Sequence, residues 1–341
     1  MTWLHRFTQV VVGATFLLVI AGGLVTSTGS GLSVPDWPTS YGWSMFTFPL
    51  SRWVGGIVYE HGHRLIASTV GLLTIIMVIA YWRAEPRRWV RWLTVVALGA
   101  VVAQGLLGGL TVLAKLPPAV SSAHAGLAEI FFVLTVALAV LTSRGWAVAY
   151  DDGPRAVGSA SALAADRGLR RLSVVAIAVV YLQILLGAVM RHTGAGLAIP
   201  DFPLMFGRLV PPQELLGIPG VAIHFAHRVG ALLVAAGLAA TASRVFARHG
   251  DRRELVRPAL LLLALVVLQI ALGGLIVLSG RNVVVNTAHL AVGALIFATT
   301  VVLALRAHRP HFAMGVVGAA SRRAATQVPA GMTMRERNAE S

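Results

Sequence analysis

The chain has 341 residues, 57% of them hydrophobic and only 12% charged, with a mean hydropathy of +0.78; soluble domains average about 45–50% apolar and about 25% charged residues, so lipid is the expected solvent. A net charge of +15 would suit nucleic acid, but the Arg and Lys residues stand in short clusters between apolar segments, with no basic face interleaved with aromatics, which excludes a nucleic-acid partner. Cysteine is absent, which excludes disulfides, thiolate metal sites and iron–sulfur clusters.

A membrane-spanning helix needs about 20 mainly apolar residues. Eight segments qualify: Phe7 to Thr26, Gly56 to Trp82, Trp92 to Leu113, Ser121 to Thr142, Leu172 to Met190, Val221 to Ser243, Pro258 to Ser279 and Val284 to Leu305. The first apolar run reads as a retained span, since no small-residue cleavage site and soluble domain follow it. With a cytoplasmic N-terminus, 21 of the 28 basic residues fall on the inner side, the bias that sets orientation. The expectation is a multi-pass protein of a bacterial cell membrane with both termini cytoplasmic.

The chain repeats itself. Gly29-Ser-Gly-Leu-Ser-Val-Pro-Asp-Trp-Pro38 recurs as Gly194-Ala-Gly-Leu-Ala-Ile-Pro-Asp-Phe-Pro203, and Gln104-Gly-Leu-Leu-Gly-Gly recurs at Gln269, both displaced by 165 residues. Ser-Ala-His124 matches Thr-Ala-His289 in that register, and His63-Arg64 matches His227-Arg228 with one residue lost. Four spans per repeat give halves of the same orientation. The expected fold is therefore an all-α integral membrane protein, with eight transmembrane helices forming two tandem, same-orientation four-helix bundles. The expected units are an N-terminal half over 1–143, a cytoplasmic linker over 144–171, a C-terminal half over 172–306 and a disordered cytoplasmic tail over 307–341.

Four of the eleven histidines stand out. His63, His124, His227 and His289 each open an even-numbered span, which places all four at similar depth near the outer face. A lone histidine at a helix start ordinarily caps a neighbour; four at matched repeat positions argue for function. His5, His249, His308 and His311 lie in basic segments and are expected to be solvated, while His61 faces away from His63 and His192 ends the fifth span. Neutral imidazole ligates haem iron and several divalent metals. Each half offers two opposed imidazoles, His63 with His124 and His227 with His289, in an apolar surround that suits a flat porphyrin. Arg64 and Arg228 are placed to pair with porphyrin propionates, or equally to snorkel to headgroups.

The halves also differ. Glu60 lies three residues before His63, on the same helix face, and its counterpart is His224. An acid beside a porphyrin can move protons or stabilise positive charge, whereas a porphyrin used only for electron transfer has less need of one. The asymmetry points to chemistry in the first half and electron transfer in the second. Glu129, five residues beyond His124, is replaced by Ala294.

These residues together resemble the haem A synthase family: Glu60-x-x-His63-Arg64, His124, His227-Arg228, His289 and the Thr28-Gly-Ser-Gly-Leu…Pro-Asp-Trp-Pro38 loop, over about residues 5 to 305. The resemblance implies an oxidoreductase that converts the C8 methyl of haem O to a formyl through hydroxylated intermediates, giving haem A for terminal oxidases. It implies His227 and His289 as axial ligands of a haem b, with Arg228 as a propionate contact. It implies His63, His124 and Arg64 around the haem O substrate, and Glu60 as acid/base or cation stabiliser. As partners it implies a haem O synthase (a protohaem farnesyltransferase), an electron acceptor of unspecified identity and membrane lipid, with a homo-oligomer left open. Many bacterial members carry two cysteines in the first outer loop where this chain has Val34 and Ser40, so a thiol relay does not transfer. The competing reading is a di-haem b cytochrome for quinone-linked electron transfer, which explains the histidines but not Glu60. A transporter would place its polar residues near the midplane rather than near one face.

Overall fold

The computed structural model describes residues 2–147, 163 and 165–326. In the described part the fold is built from α1 (Thr2–Ser27), α2 (Gly56–Ala84), α3 (Arg88–Leu113), α4 (Pro118–Thr142), α5 (Arg167–His192), α6 (Pro219–His249), α7 (Arg253–Leu278) and α8 (Val283–Thr326). All eight are long and apolar enough to cross a membrane. Helix is what a spanning chain must form, because only intra-segment hydrogen bonds satisfy the backbone in lipid. Buried threonines obey the same constraint: Thr8, Thr15, Thr74 and Thr300 each donate to the carbonyl four residues back.

Helix boundaries shift from the expected ones by a few residues, with one instructive case. Pro258, expected to open its span, lies inside α7. Its missing N–H frees the Glu254 carbonyl, which accepts instead from Arg306 Nη1 at 2.7 Å. At the junction of the halves, one helical turn, Arg144–Ala147, follows α4, and α5 begins at Arg167, within the stretch expected to be linker. The rest of that linker, 148–162 and 164, lies outside the described residues. Where a disordered tail was expected from 307, α8 continues to Thr326; residues 327–341 lie outside the described residues.

Each half closes as a ring. In the first, α1 and α3 both pack on α2 and α4; in the second, α5 and α7 both pack on α6 and α8. The halves meet where α4 touches α5 and α8 and where α1 touches α8. Half of the α4 span and 44% of the α8 span are buried, against at most 22% for the others, so these two helices form the centre and the rest face lipid. The repeat extends into the core: Phe16 stacks on Phe132, and their counterparts Tyr181 and Phe297 stack likewise, both pairs with centroids 5.6 Å apart.

The long loops 28–55 and 193–218 lie at one end, here called the loop end. Each holds a two-residue reversal with positive φ at both central positions, Tyr41-Gly42 and Phe206-Gly207. Asp36 accepts from the N–H groups of Tyr41 and Gly42, and Asp201 from those of Phe206 and Gly207. Burial works to raise the Asp36 pKa, but hydrogen bonds from Gly42, Thr39 and Tyr41 outweigh it and hold the carboxyl at about 2.

At the opposite end Asp166 caps α5 through Leu169 N–H and receives Arg244 and His249. His249, expected to be solvated, is 4% exposed there, because a buried carboxylate recruits any donor within reach. A cavity of about 340 Å³ beside this cluster is far from the four histidines.

Candidate functional site

All four histidines lie in the first turns of α2, α4, α6 and α8, at the loop end. His63 and His124 lie within the ring of the first half, and His227 and His289 within that of the second, the grouping that the repeat register gives. All four are half-buried, as side chains lining a cleft are. The Nδ1 atoms of His63, His124 and His289 are buried without a hydrogen-bond partner. An unpartnered buried nitrogen is costly unless something else engages the ring.

Each ring rests on a glycine of a neighbouring helix. A Cβ added to Gly22 of α1, Gly108 of α3, Gly187 of α5 or Gly273 of α7 would lie 3.0–3.3 Å from Cε1 of His63, His124, His227 or His289 respectively. Any side chain would displace the imidazole. These glycines obey the same 165-residue register, Gly22 with Gly187 and Gly108 with Gly273. That was the sequence signal for them, and only adjacency gives it meaning. The following glycine receives the loop. A Cβ on Gly109 would lie 2.5 Å from the Trp37 ring, and one on Gly274 would lie 2.7 Å from Phe202. Each Gly-Gly pair therefore seats a histidine with its first residue and a loop aromatic with its second.

Arg64 is 8% exposed and directs its guanidinium at the loop. Nη1 donates to the Asp36 and Thr39 carbonyls, and Nη2 donates to the Val34 carbonyl and to Glu60 Oε1 at 2.7 Å. Arg228 mirrors this on the Leu204, Ile199 and Asp201 carbonyls. Both arginines thus clamp the loops, and a propionate would have to share donors already engaged.

Glu60 is buried and doubly held. Oε2 accepts from Val34 N–H at 2.8 Å, while Oε1 takes Arg64. His224 occupies the same place in the second half, with Ile199 N–H 3.2 Å from its Nδ1 and Arg228 Nε 3.2 Å from its Nε2. A neutral imidazole has one acceptor nitrogen, so it cannot accept from both. The position is shaped for a carboxylate, which the first half has and the second lacks.

Other residues at the sites carried no clear sequence signal. Gln183 of α5, whose register partner is Leu18, donates to the His227 carbonyl at 2.8 Å and lies 3.0 Å from its Nδ1. Gln269, which opens the repeated motif shared with Gln104, stands 3.2 Å from His289 Nε2. His61 is fully buried on Phe48 and Trp53, with Nδ1 3.0 Å from Ser40 Oγ. His192 belongs to the second half yet interacts electrostatically with His124 of the first. Glu129 is 6% exposed with Oε2 unpartnered, close to Tyr181 across the junction.

Two imidazoles per half, seated on glycine and bordered by apolar helices, three of the four with a buried unpartnered nitrogen, fit a porphyrin. Among the described residues, no cluster of three or more His, Asp or Glu suits a bare metal ion. The comparisons agree with this class. The family of cytochrome oxidase assembly proteins designated COX15-CtaA matches residues 5–301. The chain is 30% identical over 285 residues to a heme A synthase of Halalkalibacterium halodurans, covering 83% of this chain and 90% of that one. It is 34% identical over 277 residues to a heme A synthase of Symbiobacterium thermophilum, covering 80% and 85%, and 32% identical over 269 residues to one of Shouchella clausii, covering 77% and 83%. With a family match over most of its length and relatives of this name aligned nearly end to end, the chain belongs to the haem A synthase family of cytochrome oxidase assembly proteins.

Proposed function

We propose that this chain is an oxidoreductase of haem A biosynthesis that oxidises the C8 methyl of substrate haem O to the formyl of haem A in its N-terminal half. The observation that carries this reading is the buried carboxylate of Glu60, held by Val34 and Arg64 at the place where the second half has His224. His63 and His124 flank the substrate porphyrin. His227 and His289 hold a resident haem b, which when bound supplies one-electron transfer.

Glu60 is the acid/base or cation stabiliser. Its Oε1 is committed to Arg64, whereas Oε2 accepts from the Val34 N–H and keeps a lone pair for a proton. One helical turn separates it from His63, which puts it beside the substrate rather than beneath it. Arg64 orients that carboxyl and, with Trp37 on Gly109, holds the loop against the bundle. A closed loop shields the site from bulk solvent. Arg64 and Arg228 thereby position the sites through the loops.

The basic-residue bias supports cytoplasmic termini, with the loop end facing outward. On the same reading the two halves are the functional units, joined by the segment over 144–171. A haem O synthase delivers the substrate, and an external acceptor removes the electrons.

Extraction of the porphyrins from protein purified out of haem O-producing cells tests the proposal. Haem O, its alcohol or haem A is expected alongside haem B. Haem B alone under every condition would favour a di-haem cytochrome instead.

A further inference from the structure

Arg64 and Arg228 face the loops, but a third arginine faces the junction between the halves. Arg191 lies at the end of α5, and its register partner in the first half is Thr26, a neutral residue that bonds within its own helix. Nη2 of Arg191 crosses to α1, donating to the Gly23 carbonyl at 2.9 Å and to Ser27 Oγ at 2.6 Å. Nε is buried with no hydrogen-bond partner. Among the described residues no carboxylate lies within ion-pairing distance of this guanidinium. The charged and titratable groups beside it are Arg281, His289 and the adjacent His192. The adjacent His192 feels His124. A partly buried guanidinium with an unpartnered Nε, a second arginine nearby and no carboxylate is unfavourable, so the place calls for an anion.

Its surroundings identify that anion. Gly23 follows Gly22, the seat of His63, and His289 is a partner in the C-terminal pair. Arg191 therefore stands between the two porphyrin sites and belongs by chain to the second. Building on the functional reading above, we infer that Arg191 binds a propionate carboxylate of the porphyrin held by His227 and His289. Its positive charge stabilises the reduced, less positive iron and raises the reduction potential of that porphyrin relative to a site without it. The first half, with Thr26 in this position, has no equivalent from its own chain segment.

The test is a redox titration of the reduced-minus-oxidised haem spectrum in full-length protein, comparing Arg191→Gln, Arg191→Lys and Ser27→Ala. In Arg191→Gln the reduced-to-oxidised ratio at the wild-type midpoint is expected to fall about tenfold, a shift of about −59 mV. Arg191→Lys keeps most of the potential. Ser27→Ala removes one of the two bonds to α1 but not the charge, and it titrates as wild type. An unchanged midpoint in Arg191→Gln, as expected if the guanidinium merely faced a lipid phosphate, overturns the inference. So does an equal shift in Ser27→Ala, which would make the role structural. Should Arg191→Gln lose its haem, recovery in Arg191→Lys supports the assignment and loss in both overturns it. Wild-type protein without any bis-histidine haem spectrum would instead break the functional reading, and this inference with it.

Discussion

The two halves are built on one plan and diverge where chemistry is expected. Both seat two histidines on glycines of adjacent helices, both tuck a loop aromatic onto the second glycine of a pair, and both clamp the loop with an arginine. Against that common frame, Glu60 faces His224, Glu129 faces Ala294, Leu18 faces Gln183 and Thr26 faces Arg191. The first half has gained acids and the second has gained an amide and a cation. Acids serve proton movement, while a fixed cation and a ring-orienting amide serve a porphyrin that only changes charge. On the proposed reading, a repeated scaffold separates roles through these few side chains.

The largest expected effect comes from breaking one pair at a time. His227→Ala or His289→Ala should abolish the low-spin haem b difference spectrum, whereas His63→Ala should leave that spectrum and eliminate haem A. If the spectrum survived both C-terminal substitutions, the division of labour between the halves would be lost.

Glu60 sharpens the comparison. Glu60→Ala is expected to reduce haem A formation by 10²–10⁴-fold, the usual contribution of a positioned acid/base, with the haem b spectrum intact. Glu60→Gln keeps an acceptor for Val34 N–H, so the loop should stay closed while activity still falls. Near-normal turnover in Glu60→Gln would reduce Glu60 to a loop anchor like His224.

The glycine seats give a smaller, separable effect. Gly22→Val and Gly273→Val each overpack one ring at a cost of about 1–3 kcal/mol. The first should lower haem A yield while retaining haem b, and the second should lower haem b occupancy measured by pyridine haemochrome. Identical phenotypes would argue against independent sites.

Smallest is the reverse exchange. His224→Glu replaces an imidazole facing two donors with a carboxylate that can accept both, and should stabilise the second loop by about 1 kcal/mol. A rise in thermal midpoint with unchanged haem A output is expected. A fall would mean that His224 is bound by something other than Ile199 and Arg228.

Eight spans and the tandem repeat were legible in the sequence itself, and the same register is what groups His63 with His124 and His227 with His289. Hydropathy and register are one-dimensional properties, and a spanning chain has no alternative to helix. The contrast of Glu60 with His224 was legible for the same reason. Tertiary structure alone decided what those residues touch. Arg64 and Arg228 turn to the loop carbonyls because loops 28–55 and 193–218 fold back over their own helix starts, which no spacing encodes. The glycines become seats only once α1 lies on α2 and α3 on α4, and likewise in the second half. His249, in a basic segment, is buried because Asp166 comes to it from 83 residues away in sequence. Arg191 reads as a juxtamembrane anchor until packing places it against α1, between the halves. Side-chain direction and neighbouring helix are set by packing, and in a molecule whose outer surface is as apolar as its core, pattern alone says little about which face turns inward.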